Sequence, residues 1–364
     1  MKETAKGPAA GSVTATSMRA ARLDLDSGKF GIHEIAVPHP GHGEVLVKVR
    51  AGGVCLSDVH VIDGSLREFK TRDNQRIITI GHEIAGTIAE IGHGVPPIWK
   101  VGDRVVLWAG DRCGRCGNCL YDAGWCLAPL VRGVNFDGGW ADYTVTTYRT
   151  LVPLPQNVPF EQGCIIPDAV STPYQAVTRR GNVGPGSAVG IWGAGGLGYH
   201  AILIARLAGA APIIAIDPLP AARERALAAG ADYAFDPNDP ELAKKVTAAV
   251  PAGLDAAIDF VGHPSVRLSA DDLLGPHGRM ILVGMSPASI EIKRGERFNI
   301  LQHAILGNYG SEPGDLHRLA RLCSTGRLNL AASVSEVLPL TEAESAVKRL
   351  QDKVANPIRI VLAP

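Results

Sequence analysis

Four cysteines crowd one short stretch, Cys113-x2-Cys116-x2-Cys119-x6-Cys126. A loop lets the backbone wrap a tetrahedral ion, and four thiolates suit Zn²⁺ while leaving no position open, so the pattern predicts a structural metal site. A set of free or redox thiols is the alternative. Cys55, Cys164 and Cys323 stand apart, and an odd total of 7 cysteines fits a disulfide framework poorly.

A second metal-capable set is dispersed. Cys55 lies in Cys55-Leu56-Ser57-Asp58-Val59-His60, and His82 and Glu83 lie in Gly81-His82-Glu83. Alone, a Cys or a His is more often a packing residue than a ligand. Here, however, polar residues interrupt segments that otherwise read as apolar strands. Asp168 likewise places a charge inside the apolar run 165-IIPDAVSTPY-174. Burying an isolated carboxylate is costly, and coordination to a cation is one way of offsetting that cost.

A third constellation is Gly193-Ala194-Gly195-Gly196-Leu197-Gly198, which follows the apolar run 187-SAVGIWG-193 and opens a helical pattern. With 42 glycines in the chain a lone match is weak, but the position between strand and helix is the one a dinucleotide loop needs. There the helix N-terminus offers free N–H groups to a pyrophosphate. Asp217, 24 positions after Gly193, stands where an acidic residue binds a ribose 2′-hydroxyl and repels a 2′-phosphate, so NAD(H) is expected over NADP(H). An ordinary strand-end Asp before a Pro turn is the plainer alternative.

These residues need elements to carry them. From Met18 to about Thr150, β-rich runs such as 44-EVLVKVRAGGV-54, 101-VGDRVVLW-108 and 140-WADYTVTTY-148 alternate with Gly, Pro and Asp clusters, predicting a mostly antiparallel β unit. Beyond about Val170, strands are expected at 187–193, 211–217, 232–236, 254–262 and 278–284. Helices are expected at 198–210, 218–230 and 313–326, and a last strand in 356-NPIRIVLAP-364. Alternating βαβ units imply a parallel sheet covered on both faces.

The chain of 364 residues carries 36 basic and 36 acidic side chains without a basic run, which removes a general electrostatic reason to bind nucleic acid or an anionic membrane. No segment has the length of apolar sequence that a spanning helix needs, and no leader pattern opens the chain, so a soluble cytoplasmic protein is expected.

Taken in order, CxSDxH, GHE, CxxCxxC, GxGGxG and an IRxVL-like end resemble the zinc-dependent medium-chain alcohol dehydrogenases over nearly the whole chain. The resemblance implies a GroES-like β-rich catalytic domain with a Rossmann doubly wound cofactor domain (α/β). On this chain it implies a flexible tail over 1–17, a catalytic domain over 18–169, a Rossmann domain over 170–308 and a return to the catalytic domain over 309–364. It implies two zinc ions, NAD(H), an alcohol or carbonyl substrate, and a dimer or tetramer formed through the cofactor domain. Cys55, His82 and Asp168 match the ligands of the catalytic zinc, with Asp168 replacing the usual Cys, as in some bacterial members that favour secondary alcohols. Glu83 matches a residue beside the metal. Ser57 and His60 match the two ends of a proton relay that runs through the cofactor ribose, and Asp58 the carboxylate that orients His82. Gly193, Gly195, Gly196, Leu197, Gly198 and Asp217 match the dinucleotide site. Thr172 and Val283 match positions near the nicotinamide, and Arg359 one that reaches the pyrophosphate.

Trp108, Ile62 and Leu66 match positions facing the substrate, the last two smaller than the aromatics of ethanol-preferring relatives, which implies a roomier pocket. Two departures stand out: the spacing Cys119-x6-Cys126 is one residue short, and 70-KTRDNQRIITIGHE-83 lacks a customary Pro and carries several charges. A polyol dehydrogenase of the same family and a non-catalytic, redox-sensing nucleotide-binding protein are the rival readings. Zincless reductases lack the Cys55/His82 pair.

Overall fold

The structure is a computed structural model and describes residues 13–66, 70–121 and 125–364. Of the tail expected over 1–17, residues 1–12 lie outside the described residues.

The long strand Glu44–Val54 is the axis of the β-rich part. Its buried residues run continuously over Val45–Val47, alternate with exposed Lys48 and Arg50, and become continuous again from Ala51 to Val54, where both faces are covered. It pairs antiparallel with Glu83–Ile91 on one side and Arg359–Ala363 on the other, and with Tyr143–Thr147 along its first half. Among the described residues the sheet has seven strands and ends at Leu151–Pro153 and Val334–Pro339. The chain's last strand thus seats Ile360 opposite Val54, beside the Cys55 that follows it.

The second large sheet is parallel throughout. Its order is Tyr233–Phe235, Ile213–Ile216, Val189–Trp192, Leu254–Asp259, Leu274–Leu282, Ala304–Gly307, and the direction of winding reverses between the third and fourth of these strands. That reversal opens a crevice at the strands' carboxyl ends, where open α/β sheets bind ligands. The strand Val189–Trp192 is buried along its whole length, as a doubly covered parallel strand must be.

One apolar cluster ties the two sheets together: Ala51, Ala85, Val106 and Val361 pack with Val189, Ile191, Ala201 and Ile258 around the segment Cys164–Val170. No helix among the described residues is long and apolar enough to cross a membrane.

Candidate active site between the two sheets

Cys55 directly follows the axial strand and caps the helix Leu56–Asp63. Asp58, fully buried, organises the corner: its Oδ2 accepts the Cys55 N–H at 2.9 Å, and its Oδ1 lies 2.9 Å from His82 Nδ1. A carboxylate can only accept here, so Nδ1 carries the imidazole proton and Nε2 presents its lone pair to the cluster. His82 reaches that place because Gly81 before it adopts φ +96 against the Trp140 indole. A Cβ on Gly81 would stand 2.2 Å from the ring.

Asp168 lies in the π-helical turn Ile166–Val170, a wide turn often found at functional sites. Thr172 Oγ1 donates to its Oδ1 at 2.7 Å, leaving Oδ2 at 3.4 Å from Cys55 Sγ and 3.5 Å from His82 Nε2. Donors 2.0–2.3 Å from one tetrahedral ion stand about 3.3–3.8 Å apart, so these spacings fit a zinc ion. Glu83 joins the group, all four donor atoms lying within 4.8 Å of one another, and its Oε2 is buried without a partner. A thiol, an imidazole and two carboxylates make a mixed set that suits Zn²⁺.

Arg359 lies inside this cluster. Only 3% exposed, its Nη2 stands 2.9 Å from Glu83 Oε1, 3.5 Å from Cys55 Sγ and 3.7 Å from Asp168 Oδ2. Its Nη1 abuts the dinucleotide turn, since a Cβ on Gly196 would stand 2.8 Å from it. Burial lifts the Glu83 carboxyl to about 7 although the guanidinium pulls it down. Burial would also raise Asp168, but when His82 is protonated, as in the metal-free cluster, its hydrogen bond and charge together with the charge of Arg359 outweigh burial and hold that carboxyl well below the ordinary range; with an ion bound, Nε2 gives up that proton.

Ser57 stands 3.8 Å from Cys55 Sγ and lines a cavity of about 170 Å³ that opens onto His82 and Asp168. His60, one turn further along the helix, is exposed and contacts Ser65 at 3.1 Å. No hydrogen bond joins Ser57 to His60 among the described residues. Trp108 and Leu66 line the cavity, and the Trp108 indole N–H is taken by Ser311 O at 2.9 Å. Ile62 packs against the neighbouring apolar core instead.

In the glycine turn, Gly193 adopts φ +87, and a Cβ on Gly198 would fall 1.7 Å from Gly193 O, so only glycine lets the helix approach its strand. Gly195 has open space where a Cβ would be, leaving its backbone approachable by a ligand. Leu197 packs inward. Asp217, buried at the end of the next strand, accepts the Ala194 N–H at 2.8 Å and the Leu219 N–H at 2.9 Å. Val283 lines a second hollow of about 440 Å³.

The four thiols of the lobe converge despite the short spacer, their sulfurs all within 4.8 Å of one another, with Cys116 and Cys119 at 3.4 Å and Cys113 and Cys119 at 3.9 Å. The Leu127 and Cys119 N–H groups pull the Cys116 thiol down to about 6, while burial pushes Cys119 up to about 12. The charged approach to His82 is absorbed at the lobe's base. Arg72 pairs with Asp111 at 2.6 Å and lies over the Phe136 ring at 4.4 Å. Cys164 and Cys323 pack in or against the core, and burial raises both thiols.

Several site residues have no signal in the local sequence, namely Trp125, Met285, Tyr309 and the Arg112–Glu312 pair at 3.3 Å around the cavity. His200 is another. It is fully buried with its ring between Gly196 O at 2.6 Å and Ser333 Oγ at 2.9 Å, and burial pushes it down to about 3, so it stays neutral. The Gly196 contact puts the ring proton on Nδ1 and leaves Nε2 to accept from the serine. Only its place four residues after Gly196 on the helix hints at that tie.

Comparison with known proteins places this geometry. The Alcohol dehydrogenase GroES-like domain family matches residues 41–156, and the Zinc-binding dehydrogenase family matches residues 196–325. An NAD-dependent alcohol dehydrogenase of Saccharolobus solfataricus is 31% identical over 349 residues, which cover 92% of this chain and 97% of that protein. The chain belongs to the zinc-dependent medium-chain alcohol dehydrogenases. Another relative, an L-threonine 3-dehydrogenase of Pyrococcus horikoshii, is 32% identical over 310 residues, covering 82% of this chain and 84% of that one. The crystal structure of the alcohol dehydrogenase from Aeropyrum pernix superposes with a TM-score of 0.83 at 28% identity, covering 95% of this chain and all of the other. Within this medium-chain alcohol dehydrogenase the cluster of Cys55, His82, Glu83 and Asp168 and the Cys113–Cys126 lobe are two separate donor sets.

Proposed function

We propose that this chain is an NAD-dependent alcohol dehydrogenase that oxidises neutral, secondary or bulky alcohols to ketones or aldehydes. In this reading Cys55, His82 and Asp168 hold the catalytic zinc, and Cys113, Cys116, Cys119 and Cys126 a structural one. The observation that carries the reading is a mixed four-donor cluster at the floor of a mainly apolar cavity, next to the crevice of a parallel sheet. Zinc in this donor set supplies Lewis acidity toward an alcohol oxygen, and nicotinamide supplies the hydride acceptor.

The chain's own residues do the rest. Asp58 fixes the His82 tautomer, and Thr172 turns the Asp168 carboxylate so that one oxygen faces the cluster. Ser57 Oγ, at the cavity wall, would accept a hydrogen bond from the substrate hydroxyl and pass its own proton on toward the ribose of a bound nucleotide, from which His60, exposed on the same helix, would release it to water. Trp108, Leu66 and Pro167 exclude water from the wall they form and favour an apolar substituent on the carbinol carbon there. An amino-acid alcohol such as threonine would need charges at the rim, where Arg112 is held by Glu312 and Asp111 by Arg72. Reduced-nicotinamide absorbance across primary, secondary, polyol and amino-acid alcohols, run beside a zinc count, tests the reading. Two zinc per chain and fastest turnover of secondary alcohols are expected, and inertness toward every alcohol overturns it.

Asp217 sets the preference between NAD and NADP. Its carboxylate is fixed by the Ala194 and Leu219 amides, and Arg223 donates to its main-chain oxygen at 2.7 Å. Asp217→Ser removes the negative charge and leaves that guanidinium in place. The ratio of kcat/KM for NADP to that for NAD is then expected to rise about tenfold or more, or about 1.4 kcal/mol. An unchanged ratio would show that another group reads the ribose.

A further inference from the structure

His200 sits in the helix Gly196–Ala208 among buried apolar residues such as Ala201, Ile202 and Ile204. An imidazole in such a place is costly unless both ring nitrogens find partners. Those partners come from different parts of the molecule. Nδ1–H donates to Gly196 O at 2.6 Å, in the first turn of the dinucleotide helix, and Nε2 accepts from Ser333 Oγ at 2.9 Å. Ser333 is itself fully buried and ends the short turn Ala331–Ser333, which leads into the strand Val334–Pro339 of the β-rich sheet. One ring therefore joins the parallel-sheet half to the segment in which the chain returns to the other half.

The segment so held is packed on the strand that carries Arg359. Val334, the residue after Ser333, pairs with Arg359 across the parallel strands, and Ser335 Oγ accepts the Ile358 N–H at 2.8 Å. Arg359 and Ile358 both press on the dinucleotide turn, since a Cβ on Gly196 would stand 2.8 Å from Arg359 Nη1 and 3.0 Å from Ile358 O. The contacts close a ring, from Gly196 through His200 and Ser333 to Val334, across to Arg359 and back to Gly196. Burial first, and the Arg359 charge after it, push the imidazole down to about 3, so it adds no second positive charge beside the guanidinium.

We propose that His200 is a positioning residue for the cofactor: through Ser333 it fixes the return segment, and with it Arg359, against the dinucleotide turn. The inference rests on the dehydrogenase reading above and gives a task to a residue that reading leaves unused. An enzyme without the tie spends part of its time with the return segment drawn back from the turn. Binding must then restore the contact, so the apparent Kd for a dinucleotide rises by the inverse of the competent fraction. Steps after binding start from the restored arrangement, which places the effect in KM for NAD more than in kcat.

The test uses the full-length zinc-loaded enzyme as His200→Ala, His200→Gln, His200→Asn, Ser333→Ala and the double variant His200→Ala/Ser333→Ala. It measures Kd for NADH and for ADP-ribose by calorimetry, beside KM for NAD, kcat, Tm and a zinc count. His200→Ala and Ser333→Ala are each expected to raise both Kd values and KM for NAD about tenfold, matching a competent fraction of about one in ten, with kcat moved much less and zinc still two per chain. The double variant should be no worse than either single one, because the two residues act through one bond. A glutamine brings its amide oxygen near the place of Nε2 and can accept from Ser333, whereas an asparagine reaches only Gly196 O. His200→Gln should therefore recover most of the affinity and His200→Asn little. Wild-type Kd values in His200→Ala overturn the inference, as do losses that add in the double variant or a rescue by asparagine instead of glutamine. A lowered Tm with unchanged Kd values would show a packing role only, and overturns it too. Should His200→Ala not fold, Ser333→Ala and the contrast between glutamine and asparagine still decide. Failure of the inference alone leaves a wild-type enzyme that binds NADH and turns over alcohol. A wild-type enzyme that does neither overturns the dehydrogenase reading, and this inference with it.

Discussion

Asp168→Ala is expected to lower kcat/KM for alcohol oxidation by about 10³-fold or more, and to reduce the zinc count from two per chain to one. Loss of the Lewis acid removes several kcal/mol of stabilisation, each ~1.36 kcal/mol being a factor of ten in rate. Asp168 Oδ2 is the atom nearest to both other ligands, at 3.4 Å from Cys55 Sγ and 3.5 Å from His82 Nε2, so its loss opens the centre of the donor set. It also leaves Thr172 Oγ1 without its acceptor and Arg359 with one fewer negative partner. Glu83 is the group that can partly compensate, because its Oε2 is buried and unpartnered while Oε1 is held by Arg359 and the Ala169 N–H. A small residual activity is therefore expected, and it should vanish in Asp168→Ala/Glu83→Gln. Asp168→Cys restores a negatively charged ligand and should recover both zinc and turnover. Retention of two zinc ions and wild-type turnover in Asp168→Ala would sink the proposed ligand set.

How far the sequence alone leads to this site depends on the distance between its parts. The four lobe thiols lie within fourteen positions, and their spacing forecasts a convergence that the structure shows even with the shortened spacer. Cys55, His82 and Asp168 are joined by no local pattern, and only resemblance to a family brought them together before the fold did. The axial strand is read at its observed bounds, Glu44–Val54, because its apolar run is long and flanked by turn residues. Ends elsewhere move for identifiable reasons. The strand expected over 254–262 stops at Asp259, whose Oδ1 accepts the Val261 and Gly262 N–H groups at 2.8 Å and turns the chain. The helix expected from Gly198 begins at Gly196, since Gly195 already serves as its cap.

Other elements escape the pattern. Ala304–Gly307 is a strand of four residues in an apolar stretch too short to tell strand from helix. The helices Leu242–Ala249 and Pro264–Leu273 mix charges into their apolar faces. The cavity wall at Met285, Tyr309 and Glu312 is least legible of all, because a side chain there is defined by what lies across a gap. Arg359 shows the same limit from the other side. Its motif points to a cofactor contact, whereas the fold also sets its guanidinium among the metal-capable donors.

That placement gives the second large effect. Arg359→Ala is expected to lower Tm by about 6 °C or more, since breaking a buried ion pair from one side costs about 3–5 kcal/mol and each kcal/mol is worth about 2–4 °C in domains of this size. Asp58, Glu83, Asp168 and the Cys55 thiolate can contribute four negative charges around one buried point, and Arg359 contacts three of those residues. A bound Zn²⁺ offsets two charges, and the guanidinium a third. The drop in Tm should therefore be larger in enzyme stripped of zinc by chelation than in the loaded enzyme, a difference that loss of packing alone would not produce. Arg359→Lys should recover little. A single ammonium cannot reach Glu83 Oε1 with one nitrogen while another fills the space beside Gly196, as the planar fork does. Because that fork spans both sites, the alanine variant should also bind NADH more weakly, read by the quenching of protein fluorescence. An unchanged Tm in both metal states would mean that the acids around Arg359 are neutralised by protons instead. Glu83, already raised to about 7 by burial, is the first of them to take one.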